Sequence, residues 1–382
     1  MSAPFPEAPD ILIATFSGRS LAASARAAGY TPLVADLFAD NDLRDLVADF
    51  RTVHGDFVDG FDGDHLLAAL EELSAGRTPV GVVCGPGFED RPELIDAIAA
   101  RWTLLGNTGE TVRTLKDPKG FSLLCGRLGI RHPETRLERP ASDDAEEWLS
   151  KRVGAAGGLH IGTLAERPPA PDRYYQRFVA GDRRSALFVA SGGKAEILGL
   201  SEQWPSPSPT EPFRYGGACG PVRLPRKQEK GIGRAVEAIA AALPALVGIC
   251  SADFIIDDAA DPILLEINPR PGASMDVFER PGHPLLKIHL DACNGHLPGR
   301  QGALPTAPVR AAGFAYSDVE KIVTGAVDWP DYVSDRPMPG TVIRYGEPIC
   351  TLKADGETPD AAIGLFAARL ATMKNAIEGS SA

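Results

Sequence analysis

Asp10–Phe16 (DILIATF) is a nearly unbroken apolar run of strand length, the pattern of a strand buried on both faces. Ser17-Gly18-Arg19-Ser20 then opens a helix that ends at Gly29, and Leu33–Ala35 reads as the next strand, with Asp36 just past it. Helix-spaced patterns follow near 42–50 and 63–75. A strand over Val80–Cys84, a helix over Pro92–Trp102 and a short strand at Leu104–Gly106 complete the first 105 residues. This is a β–loop–α–β arrangement of Rossmann-like type without G-x-G-x-x-G, so a dinucleotide site is weakly supported. Loops Ser17–Ser20 and Gly85–Asp90 follow strand C-termini, where open sheets place ligands. Ser17–Ser20 reads equally as an anion site at a helix N-terminus and as a simple cap beside a surface Arg19.

Asn107 or Thr108 caps the next helix and Asp117-Pro118 begins another. Trp148–Gly162 (WLSKRVGAAGGLHIG) contains a strand-like start, Lys151, a Gly/Ala-rich loop and a second strand. A Lys at a strand end followed by Gly154, Gly157 and Gly158 suits phosphate: glycine lets backbone N–H groups approach, and Lys adds a point charge. Tyr174–Gly181 is a further strand, Ala186–Val189 and Ala195–Leu200 form a hairpin, and Lys230–Leu243 is an amphipathic helix. Between the last two, a Pro/Ser run at 204–212 reads as a lid or a surface linker, and Tyr215–Arg223 is Gly-rich, with Arg223 a candidate partner for phosphate or carboxylate.

Ile249–Asp276 carries the densest chemistry. Two apolar runs, Ala252–Ile256 and Ile263–Ile267, flank DDAADP, a turn signal, and so predict an antiparallel hairpin. Symmetry about the loop sets Asp253 opposite Glu266. Period-two alternation puts Asn268 on the Glu266 face and turns Phe254, Ile256, Leu265 and Ile267 to the other. Opposed Cβ atoms lie about 4.5–5.5 Å apart, where like charges destabilise a pair. Two carboxylates and an amide oxygen suit Mg²⁺, with Mn²⁺ a substitute, and Arg270 is placed to bind an anion beside it.

Composition narrows the picture. With 39 basic against 51 acidic residues, the net charge of −12 argues against a general nucleic-acid or anionic-membrane binder. The six cysteines show no Cys-x-x-Cys spacing, which suits reduced thiols in a cytoplasmic protein. The start MSAPFPEAPD lacks signal-peptide pattern and is expected to fray, and no apolar run is long enough to span a bilayer. His283, His289 and His296 read as packing or capping residues rather than ligands.

Leu264–Ser274 (LLEINPRPGAS), with an acidic residue on the partner strand, resembles the metal-binding end of the ATP-grasp superfamily. The likeness spans about 100–295 and is weaker on both flanks. It implies a Rossmann-like α/β domain (1–105), a two-lobed α+β ATP-grasp core (106–300, smaller lobe about 140–182) and a small β-rich C-terminal cap (301–382) that packs on the core. It implies ATP between the lobes, with one or two Mg²⁺ on Asp253, Glu266 and Asn268. Lys151 with Gly157-Gly158 would clamp phosphates, as would Lys116 or Lys119, the family's usual Asp-Lys being replaced here by Lys-Asp-Pro-Lys. Gln176, Arg177, Phe178 and Val179 match the adenine hinge, Gln176 standing where an acid is frequent, and Asp182 is set to face the ribose. Arg270 and Lys151 are the catalytic candidates; Arg19, Arg223, Ser274 and Asp276 are substrate candidates, Asp276 also as a base. The implied activity joins a small-molecule carboxylate to an amine through an acyl phosphate. The Pro-Arg-Pro-Gly-Ala-Ser variant resembles a group of predicted carboligases, some linked to methylofuran-type one-carbon cofactor synthesis, so glutamate and a small amine become candidate substrates. Bicarbonate-using carboxylation, a kinase stopping at a phosphorylated product and a non-catalytic ATP-binding module are the alternatives. A homodimer is expected from relatives.

Overall fold

The computed structural model describes residues 8–57, 59–141, 147–259, 261–299, 304–325 and 327–380. The N-terminal residues expected to fray therefore fall largely outside the description, as does Ala260 in the hairpin loop.

The N-terminal unit is a parallel sheet in the spatial order Asp49–Thr52, Thr31–Asp36, Asp10–Thr15, Val82–Cys84, with Leu104 bridged to Val82 beyond it. Its strands are apolar because helices cover them: Leu21, Ala22 and Ala25 of the helix Arg19–Ala27 and Leu66, Leu70 and Leu73 of the helix Gly63–Ser74 are all buried. The pattern near 42–50 is corrected here. It holds a single short turn of 3₁₀-helix, Asn41–Leu43, followed by the edge strand Asp49–Thr52. Phe50 and Arg51 pair with Val34 and Ala35, so sheet pairing overrides the helical spacing.

Two capped helices lead to the core. Thr108 accepts from the Thr111 amide and starts Gly109–Lys116; Asp117 accepts from the Lys119 amide and starts Pro118–Arg127. A small antiparallel sheet follows, in the order Thr135–Arg136, Arg173–Arg177, Trp148–Arg152, Gly162–Thr163. The largest sheet has eight strands among the described residues, in the order Pro262–Asn268, Gly248–Ile256, Asp182–Ser191, Lys194–Pro205, Tyr215–Gly220, Val309–Tyr316, Pro348–Gly356, Val333–Ser334. One face is closed by the helix Arg226–Ala242 through Ile232, Val236 and Ile239, which meet Phe188, Cys250 and Phe254. The opposite face is closed by Leu285, Leu286 and Leu290 of the helix Leu285–Cys293, which meet Leu187, Val189 and Ile249.

The β-rich C-terminal segment packs on the core by extending this sheet: Val309–Tyr316 pairs with Tyr215–Gly220 over Gly217↔Gly313 to Gly220↔Arg310. The helix Pro359–Ser380 then covers it through Ala362, Phe366 and Met373.

Candidate active site

The hairpin register is the expected one at the chemical end: Ser251 faces Asn268, Ala252 faces Ile267 and Asp253 faces Glu266. Beyond that point it slips by one, and Phe254 faces Leu264. The slip is a β-bulge that leaves Leu265 as the additional residue. Leu264 therefore enters the core beside Phe254, while Leu265, expected on the core face, borders the cavity next to Glu266.

That cavity has a volume of about 450 Å³ and runs between the small sheet, the central sheet and the N-terminal loops. Lys151, Gly157, Gly158, Gln176, Arg177, Val179, Asp253, Glu266, Asn268, Arg270, Ser274, Asp276 and Arg19 all border it. Residues drawn from stretches far apart in sequence thus converge on one space.

Asn268 Nδ2 donates to Asp253 Oδ2 at 3.1 Å, and Gln203 Nε2 donates to Asp253 Oδ1 at 3.2 Å. Lys116 Nζ donates to Asn268 Oδ1 at 2.7 Å and reaches Glu266 Oε2 at 3.3 Å. Burial and the facing Glu266 push Asp253 up to about 6. Burial acts on Glu266 in the same direction, but Lys116 and Lys151 outweigh it and hold the group down at about 2. Over a third of the Glu266 side chain (36 %) is open to the cavity, so solvent softens each of these influences. Among the described residues no three His, Cys, Asp or Glu side chains form a metal cage. The donor set nevertheless fits a hard cation that keeps non-protein oxygens: two carboxylates and an amide oxygen lie together, and a lysine ammonium already rests on two of the three residues.

Lys151 is buried on the strand Trp148–Arg152, where its Nζ donates to Gln176 Oε1 at 3.2 Å. Burial lowers its basicity, but Tyr174 and Glu266 more than compensate, so it stays charged above the usual lysine range. The Gln176 oxygen expected to accept from adenine is thus engaged by Lys151. The amides of Arg177 and Phe178 donate to Glu134 O and Glu147 O at 2.8 and 2.7 Å, and the Arg177 side chain turns outward to Glu147. Gly157 and Gly158 have φ of +72° and +76°, and a Cβ on Gly158 would lie 2.1 Å from the Phe213 carbonyl oxygen. The loop is therefore seated on the Phe213–Tyr215 segment, where Tyr215 N donates to Gly157 O at 2.9 Å.

Arg270 Nε donates to Glu89 Oε1 at 2.7 Å, and Gly87 N and Phe88 N donate to Glu89 Oε2 at 3.0 and 3.1 Å. Burial tends to raise Glu89, but Arg270 and Lys116 overcome it and hold it below the usual carboxylate range. A Cβ on residue 272 would meet Arg270 Nη1 at 2.1 Å, so Gly272 is what lets the guanidinium lie against the turn. Asn107 Nδ2 donates to Pro269 O at 2.9 Å and fixes that turn to the helix ahead of it. Glu89 and Gln203 went unassigned in the sequence, and Asn107 was expected only as a candidate helix cap; the strand-end position of Gly85–Asp90 is the one signal that pointed toward Glu89.

At the far end Arg19 makes a two-bond fork to Asp276, at 2.7 and 2.6 Å, and meets Asp335 through Nε and Nη2 at 2.9 Å each. Lys353 Nζ joins Asp276 at 2.7 Å. Burial alone would raise Asp276; Arg19 and Lys353 reverse this and hold it far below the ordinary range, making it a poor proton acceptor. The base role expected of Asp276 is thereby corrected, and Arg19 serves to join the N-terminal unit, the core and the C-terminal segment. Three more expectations are corrected. Asp182 is exposed at the first position of an interior strand and pairs with Arg184 at 3.1 Å. Its neighbour Arg183 borders the cavity instead. Arg223 is exposed after the strand Tyr215–Gly220, and Lys119 is exposed on its helix, so of the two lysines Lys116 alone reaches the carboxylates. His289 is a buried structural residue that accepts from Ile249 N at 3.0 Å through Nδ1 and meets Leu105 O at 2.9 Å through Nε2.

Comparison with known proteins bears on the fold. Residues 123–274 match the ATP-grasp domain family. No curated protein matches the sequence. Among solved structures, the chain is similar to an L-amino acid ligase from Bacillus licheniformis at 13 % identity and a TM-score of 0.69, covering 95 % of this chain and 97 % of that one. It is similar to N5-carboxyaminoimidazole ribonucleotide synthetase from Thermotoga maritima at 14 % identity and a TM-score of 0.63, covering 96 % and 98 %. It is also similar to biotin carboxylase from Campylobacter jejuni, in a complex with β,γ-ATP, at 14 % identity and a TM-score of 0.69, covering 94 % and 90 %. Residues 123–274 match the ATP-grasp domain family, and the chain as a whole shares the fold of these ligase, synthetase and carboxylase structures.

Proposed function

We propose that the chain is an ATP-dependent ligase that activates a substrate carboxylate as an acyl phosphate and couples it to an amine, releasing ADP and phosphate. The observation that carries this reading is the meeting of Asp253, Glu266 and Asn268 with Arg270, Lys116 and Lys151 in and around one cavity. Asp253, Glu266 and Asn268 would hold Mg²⁺, or Mn²⁺ in its place, which when bound supplies charge neutralisation for the triphosphate. Carboxylate oxygen attacks the γ-phosphorus as the bond to ADP breaks, and two anions must meet. Lys151, kept charged beside Gln176, and Lys116 offset that repulsion. Arg270 has its Nε fixed by Glu89, which leaves the two Nη groups as a fork for carboxylate or acyl phosphate. Amine nitrogen then attacks the acyl carbon, and phosphate leaves with the oxygen it gained. The glycine loop over Phe213–Tyr215 keeps water from the acyl phosphate. Glutamate joined to a small amine in one-carbon cofactor assembly is the finer reading, and it rests on the Pro269–Ser274 resemblance.

A carboxylase-type reaction with bicarbonate is the second reading. It is favoured by the C-terminal strands, which reach the cavity at Phe314, Tyr316 and Ile349–Thr351, and by the fold shared with biotin carboxylase. ADP release with Mg-ATP is measured against pairs of amino acids and amines, with and without bicarbonate. Release that needs both an acid and an amine is expected. Release driven by bicarbonate alone favours the second reading, and no turnover with any pair or with bicarbonate refutes both. Glu266→Gln should abolish turnover while the fold persists.

A further inference from the structure

Lys116 is the last residue of the helix Gly109–Lys116, and its side chain is only 8 % exposed. Its Nζ does not point at open cavity. It lies on Asn268 Oδ1 at 2.7 Å and near Glu266 Oε2 at 3.3 Å. Those two oxygens belong to residues that the proposed reaction assigns to the metal. An ammonium and a small divalent cation both seek hard oxygen donors, and like charges brought to the same two atoms repel and compete for them. A free metal ion arriving alone would have to displace a buried, paired lysine from those atoms with no new anion to receive it, which is unfavourable. A metal ion arriving with a triphosphate brings new anionic oxygens to which that lysine can transfer.

The Asn268 orientation agrees with this arrangement. Its oxygen turns to Lys116 and its amide nitrogen to Asp253, so the amide bridges a cation and a carboxylate. Asp253, by contrast, receives the amide groups of Asn268 and Gln203 and the Ser185 hydroxyl.

We propose that Lys116 is a resident stand-in cation: it occupies the oxygens of Glu266 and Asn268 in the nucleotide-free chain, keeps free divalent metal out, and passes to the triphosphate when metal and nucleotide enter together. The proposal rests on the ligase reading for the identity of the site, and it adds an order of binding that the reading does not require. Lys119, exposed three residues on, has no such part.

The test is Mn²⁺ binding to the nucleotide-free protein, followed by the paramagnetic resonance of unbound Mn²⁺, for wild type, Lys116→Met, Lys116→Gln and Lys119→Met. Wild type and Lys119→Met should bind Mn²⁺ poorly until a non-hydrolysable ATP analogue is added. Either Lys116 variant should bind it at least about tenfold more tightly without nucleotide, and adding Glu266→Gln should remove the gain. Two neutral replacements guard against one failing to fold. The idea is overturned if folded Lys116 variants bind Mn²⁺ no better than wild type, or if wild type binds it equally well with and without the analogue. Calorimetric titration of wild type with the analogue and Mg²⁺ separates the two levels: no nucleotide binding sinks the ligase reading itself, whereas nucleotide binding beside a metal site already open in its absence sinks only the role of Lys116.

Discussion

Glu89→Gln tests how the N-terminal unit governs the anion fork. In the wild type one carboxylate oxygen takes Arg270 Nε and the other takes two backbone N–H groups. The side chains of Glu89 and Arg270 are 4 % and 15 % exposed, so the pair is shielded from solvent. Glutamine keeps the shape but has one acceptor oxygen. Facing Arg270, it turns an NH₂ donor toward the Gly87 and Phe88 amides; flipped, it turns that donor toward a guanidinium. Either way a buried donor loses its acceptor, at about 1–3 kcal/mol, and the guanidinium loses its counter-charge. Removing one partner of a buried ion pair typically costs about 3–5 kcal/mol, and retained hydrogen bonds place this variant near the lower end, at about 3 kcal/mol. Urea denaturation should show that loss as a lower midpoint. If half of it reaches the transition state through a misplaced fork, kcat/KM falls by about tenfold. The readout that separates positioning from general loosening is the split: KM for the carboxylate should rise while the affinity for ATP analogue stays near wild type. Wild-type stability together with wild-type kcat/KM for Glu89→Gln would refute the reasoning, because it would mean that neither the charge nor the geometry of the pair matters.

Arg19→Met should leave Asp335 without its main cation and Asp276 with Lys353 alone, lowering stability by about 3–5 kcal/mol in chemical denaturation. An unchanged midpoint would mean that the network contributes nothing. Gly158→Ala puts a Cβ 2.1 Å from the Phe213 carbonyl at a φ of +76°, so the loop must move. Binding of ATP analogue should weaken by about tenfold or more, with a loss of stability of about 1 kcal/mol or more from the strained loop, and wild-type affinity would count against the clamp. Burial lowers His132 and His289 to about 4 each. Their unfolded values lie near 6.5, so the unfolded chain binds more protons between about 4 and 6.5. Stability is then complete above about 6.5 and falls as pH drops toward 4, by up to about 1.4 kcal/mol per pH unit for each histidine. The raised Asp36 and Asp253 carboxyls act in the opposite sense over this window, so the histidine share is read as a difference: between about pH 7.5 and 4.5 His289→Gln should lose less stability than wild type in denaturation midpoints.

The legible parts of the molecule were those specified by local rules. Capping chemistry narrowed the start of Gly109–Lys116 to Asn107 or Thr108, of which Thr108 is the cap, and put the start of Pro118–Arg127 at Asp117-Pro118. Symmetry of the hairpin brought Asp253 opposite Glu266. The bulge at Leu265 escaped because no Gly or Pro marks it; it is set by where Leu264 finds room beside Phe254. Asp49–Thr52 escaped because its pairing partner, not its own spacing, makes it a strand. Site residues at or just past strand ends were harder still. Asp182 and Arg223 carry suitable charges, but nothing local says which way such a residue turns. Glu89 and Asn107 act across more than 150 residues of sequence, on Arg270 and Pro269, and such pairings exist only after the sheets are assembled. The same holds for Lys116, which sequence alone could not separate from Lys119.

The unbroken run of strands from Pro262–Asn268 to Val333–Ser334 has a practical consequence for dissecting the chain. Cutting after residue 300, where the ATP-grasp core was expected to end, would strip Val309–Tyr316 from Tyr215–Gly220 and bare a row of unsatisfied peptide groups. Such a fragment should aggregate or swap strands with its own copies. Grafting a foreign C-terminal portion would then succeed only where the donor carries a strand that completes the seam.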